Sequence, residues 1–66
     1  MKKPYWQITV DNPRFGTSSS ELAETREKAL AKFFAAVKEQ TPDQIVRLYE
    51  VDECGFVRPE YTVTRK

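Results

Sequence analysis

No histidine occurs among these 66 residues, and there is a single cysteine, Cys54. Catalysis by Ser-His-Asp or Cys-His sets is therefore excluded. So are an intramolecular disulfide and a zinc site assembled from Cys and His within one chain. Glycine is scarce as well, with only Gly16 and Gly55, too few for a loop that cradles phosphate. Charge of one sign is lacking: eleven Lys and Arg against ten Asp and Glu leave a net +1. That excludes the strong basic field of a duplex-binding domain and the heavy negative charge of a nucleic-acid mimic. Long apolar runs are missing, so nothing reads as a membrane span, and no signal-peptide core follows Lys2 and Lys3. The expected location is the cytoplasm, with no membrane partner.

What is present points to a folded domain. One tryptophan, three tyrosines and four phenylalanines, within 39% hydrophobic residues, are more than a disordered chain carries. Residues 1–66 read as a single small globular domain with little stability in reserve. The organising stretch is Thr25 to Gln40, TREKALAKFFAAVKEQ. At 100° per residue, Ala29, Leu30, Phe33, Ala36 and Val37 share one face, with Phe34 at its margin. Lys28, Lys32 and Glu39 lie opposite. This is an amphipathic helix whose stripe is wide enough to cover a sheet. Ser18 to Glu21 offers a capping box, but a helix begun there would set Arg26 in the apolar stripe. Thr25 as N-cap removes that conflict and puts Glu27 near the positive helix end. Pro42 prevents continuation beyond Gln40.

The remaining pieces are strand-like. Met1 to Pro4 reads as a solvated leader. In Tyr5 to Val10, Trp6, Ile8 and Val10 alternate with Tyr5, Gln7 and Thr9, which predicts a half-buried strand with the Trp6 side on the core. Asp11 to Gly16 is a turn, and Phe15 within it is expected to fold back as a lid on the core. Ser18 to Ala23 is predicted as a short or edge strand hairpinned to the first. Gln44 to Asp52 and Phe56 to Thr64 form a hairpin, with Gly55 in the left-handed position of its turn. In that register Val51 faces Val57, Tyr49 faces Pro59 and Arg47 faces Tyr61. One face holds Ile45, Tyr49, Val51, Val57, Tyr61 and Val63, and its apolar character places it under the helix at the cost of a snorkelling Arg47. Val46, Leu48, Glu50, Phe56, Arg58 and Glu60 are then expected on the open face. A bulge at Pro59 would reverse part of this assignment. Proline in mid-strand requires that nothing pair beyond it, so the last strand is an edge.

The predicted architecture is α+β, one helix packed on a small antiparallel sheet, ββαββ, or βαββ if the second strand does not form. Catalytic, cofactor and metal sites are not expected. Asp52 and Glu53 are the nearest pair of carboxylates and read as solvated turn residues, and Cys54 beside them reads as a plain turn residue. A helix on one small sheet is expected to leave no cavity of the usual ~300 Å3 or more. Leu48 and Phe56, set beside Glu50 and Arg58, have the composition of a protein-contact patch, and these four are the candidate partner-binding residues. Read as a complete, stand-alone chain, the protein is expected to be a non-enzymatic protein-binding module, with a homodimer compatible. In size and layout it resembles small phage or mobile-element proteins that inhibit a host complex by surface contact, anti-CRISPR proteins among them. The alternative is a single-stranded nucleic-acid binder using aromatics and arginines on an open sheet face.

Overall fold

The computed structural model describes residues 3–65. Met1 and Lys2 of the expected leader lie outside them. The elements are β1 (Tyr5–Asn12), β2 (Thr17–Ala23), α1 (Arg26–Lys38), β3 (Ile45–Val51) and β4 (Val57–Thr64). The strands form one antiparallel sheet in the order β2-β1-β3-β4, and α1 packs on one face of it. The fold is α+β with the ββαββ order.

β1 runs two residues further than its alternating core, because Asp11 and Asn12 pair with Ser18 and Thr17 before the chain turns. Asn12 closes that turn by accepting the Phe15 N–H at its carbonyl oxygen, 3.2 Å, and Gly16 takes the left-handed φ of 68°. Phe15 is not a lid. It is 69% exposed, with the Arg14 guanidinium 5.6 Å from its ring centroid. The longer strand carries the turn past the core, out of reach of the apolar side chains it was expected to cover.

α1 starts where its cap dictates. Thr25 has extended backbone, and its Oγ1 accepts the Lys28 N–H at 3.2 Å. Glu27 stands in the first turn and Lys38 in the last, each favourable against the helix dipole. Ala29 and Phe33 are buried, Leu30, Ala36 and Val37 pack against the core, and Phe34 is exposed. After Lys38 the chain is tied down by Gln40, only 6% exposed. Its Nε2 donates to the carbonyl oxygens of Gln44 and Val63, 2.8 Å each, joining the helix exit to the start of β3 and the end of β4.

The core is Ile8, Ala23, Ala29, Phe33, Val46 and Leu48. This overturns the expected facing of β3. Ile8 pairs with Leu48 and Val10 with Val46, so the helix-facing parity of β1 is carried straight across to Val46 and Leu48. Both are fully buried. Ile45, Arg47, Tyr49 and Val51 consequently point to the open face, and Arg47 needs no snorkelling, since it pairs with Asp11 at 3.3 Å. β4 resolves the conflict with a bulge. Val51↔Val57 and Tyr49↔Pro59 hold as expected, but beyond Glu60 the register shifts, giving Leu48↔Tyr61 and Arg47↔Thr62. Tyr61 and Val63 therefore share the helix side with Leu48 and Val46, while Val57 lies on the open side. β4 is an edge, as Pro59 requires.

Candidate contact surface

The sheet buries one face under α1 and leaves the other open. Cross-strand registers place Leu22, Gln7, Tyr49 and Pro59 in one row of the open face, and Tyr5, Val51 and Val57 in the next. These two rows form an apolar end. Leu22 is 61% exposed, Val57 54% and Tyr5 37%, so large apolar groups from three strands meet solvent in these two rows, Leu22 and Val57 on opposite edges of the sheet. Val51 sits among them but is buried by its neighbours. Toward the other end the face turns polar, with Thr9 between Ser20 and Arg47, and with Asp11 paired to Arg47. Scattered apolar groups are ordinary on a surface; a contiguous set from several strands is the texture of a contact patch.

The hairpin tip borders this apolar end. Gly55 takes a φ of 89°, and its N–H reaches the Asp52 carbonyl oxygen at 3.0 Å. The Asp52 carboxylate accepts the N–H groups of Cys54 and Phe56 at 2.9 Å each, which makes the tip a rigid mount. Phe56, next to Val57 in the chain, is 70% exposed on that mount. Cys54 is exposed there too.

The four expected partner-binding residues do not form one surface. Leu48 is core, because the Ile8 pairing turns it beneath the helix, and no partner can touch it. Glu50 and Arg58 face each other across β3 and β4 on the helix side, with Trp6 as the next neighbour of Glu50. Phe56 alone adjoins the exposed apolar end. Leu22 and Val57 were missed as exposed apolar candidates. Leu22 carried a usable signal, since it is the large apolar residue at an outward position of a serine-rich strand. Val57 carried none, because its face depends on the bulge.

The expectation that a helix on one small sheet leaves no cavity of ~300 Å3 or more is not met. Between β2 and α1 lies an open cleft of about 550 Å3, floored by Ile8 and Val10 and walled by Ser19 and Ala36. Small side chains on both sides create it, and the Lys32–Glu21 pair spans its mouth at 4.0 Å. Further along the sheet, Arg26 in the first helical turn pairs with Glu60 at 3.3 Å, and that carboxylate raises the Arg26 pKa above its ordinary value. Comparison with protein-family models, with curated proteins and with solved structures gave no match.

Proposed function

We propose that this chain is a non-enzymatic protein-binding module that docks through the apolar end of its open sheet face. The observation that supports this is the exposed set Tyr5, Leu22 and Val57, continued by Phe56 on a rigid turn. Apolar anchors of this kind supply most of the binding energy of a protein interface, with a polar surround excluding water. An inhibitor of a larger assembly is the form such a module takes when it offers surface and no catalytic set, as the small phage and anti-CRISPR proteins it resembles in size and layout do. Single-stranded nucleic acid is the second reading, supported by Tyr5 and Tyr49 on the same face as Arg47. The Asp11 carboxylate already engages Arg47, which weighs against it.

Two measurements separate these readings. Labelled single-stranded DNA and RNA are titrated by fluorescence anisotropy at low and moderate salt, with weak binding expected throughout. Tight binding that falls steeply with salt would establish the nucleic-acid reading instead. In parallel, proteins captured on the immobilised wild-type chain are compared with those captured on Leu22→Ser/Val57→Ser and on Phe34→Ala. Selective loss with the first variant supports docking through the open face, and loss only with Phe34→Ala moves the site to the helix.

A further inference from the structure

The two edges of the sheet are built differently. β4 is blunted by Pro59, by the bulge at Glu60 and by the charges of Arg58 and Glu60, the usual devices against pairing with another strand. β2 has none of them. Its seven residues, Thr17–Ala23, pair with β1 in unbroken register, contain no proline and carry one charge, Glu21. Every residue but Ala23 is exposed. α1 lies chiefly over β1 and β3, and reaches β2 through the Lys32–Glu21 pair and over the buried Ala23. An edge with unbroken register, no proline and a single charge presents unpaired N–H and C=O groups to whatever strand arrives.

We propose that β2 is a dimerisation edge, where two copies of this chain pair β2 to β2, antiparallel, about a twofold axis at Ser20, and their sheets become continuous. An isologous contact requires one residue to face its own copy. With Ser20 on the axis, Ser19 faces Glu21, Ser18 faces Leu22 and Thr17 faces Ala23. Every residue of the strand finds a partner, and no two like charges are opposed. Centring on Glu21 would set two carboxylates directly opposite, which is destabilising. Centring on Ser19 leaves Leu22 and Ala23 without partners. The self-complementarity of TSSSELA thus favours a second copy over a foreign strand as the occupant.

The test uses the whole chain with Cys54→Ser as background. Ser20→Cys places two thiols opposite each other at the axis, with Cβ atoms about 4.5–5.5 Å apart, close to disulfide range. Ser18→Cys places its two thiols four residues apart along the strand, about 13 Å, out of reach. Both positions are exposed on the same face of the strand, so random collision would link both. The expected result is covalent dimer from Ser20→Cys and not from Ser18→Cys under mild oxidation. In sedimentation velocity the wild-type chain should approach twice its mass as concentration rises. Ser20→Lys and Ser20→Glu should each stay single, and an equimolar mixture should recover the dimer. Equal cross-linking at both positions, or a single-chain mass up to the solubility limit, would overturn the proposal. So would a dimer that survives both charge variants, which would assign association to another surface.

Discussion

Phe33 lies 3% exposed at the centre of the core, with the Tyr61 ring 5.7 Å away and Phe34 beside it at 5.9 Å. Truncating it removes the largest apolar group that α1 contributes. Phe33→Ala should cost ~3–5 kcal/mol, most of the stability of a domain this size, and a thermal melt reads it directly. Leu48 tests the corrected face of β3. It touches no solvent, so Leu48→Ala should cost ~2–5 kcal/mol. A Leu48→Ala variant that melted like the wild type would return this residue to the surface. Gln40 acts differently, since its amide satisfies two carbonyl groups on separate elements. Gln40→Leu keeps the bulk and removes both donors, leaving those acceptors unpaired where they are shielded from water. Chemical denaturation should show a loss of about 1–3 kcal/mol.

At the scale of elements, the helix is delimited by its caps rather than by helix propensity. Thr25→Ala removes the acceptor for the Lys28 N–H and should destabilise by about 1 kcal/mol, whereas Ser18→Ala, on an exposed edge strand, should leave the melt unchanged. Amide exchange should show helical protection beginning after Arg26. The bulge in β4 decides more than its single residue suggests. Glu60 is the extra residue that lets Val57 face outward while Tyr61 and Val63 face the helix. Strand side chains alternate with period two, so removing one residue flips everything beyond it. Deleting Glu60 should therefore move Tyr61 and Val63 off the core and destabilise far more than Glu60→Ala, which keeps the register.

For the molecule as a whole, the helix covers one side of the sheet and leaves the opposite side open, the side we propose docks a protein partner. Phe56→Ala should weaken binding to that partner by more than about 1 kcal/mol with the melt unchanged, because the ring stands 70% exposed on the hairpin tip. Arg58 faces the other side of the sheet, and Arg58→Ala should affect that binding less than Phe56→Ala. Cys54→Ser should preserve both stability and binding, since Cys54 contributes to the turn through its backbone N–H.

Local periodicity and capping chemistry determined most of the fold before any tertiary contact was known. The Trp6-Ile8-Val10 alternation, the helix stripe with its Thr25 cap, the Gly55 turn and the edge position forced by Pro59 all follow from rules acting within a few residues. The facing of β3 does not. Both of its faces are apolar enough to be buried, so alternation alone leaves the choice open. The pairing of Ile8 with Leu48 decides it, through hydrogen bonds between residues far apart in sequence. The exposed apolar end follows from that same choice and from the bulge after Pro59, and the cleft follows from small residues on β2 and α1 meeting across a gap. Contacts of that range enter only when the sheet assembles, and this is why the candidate surface moved from Leu48 to Leu22 and Val57 while the elements themselves stayed in place.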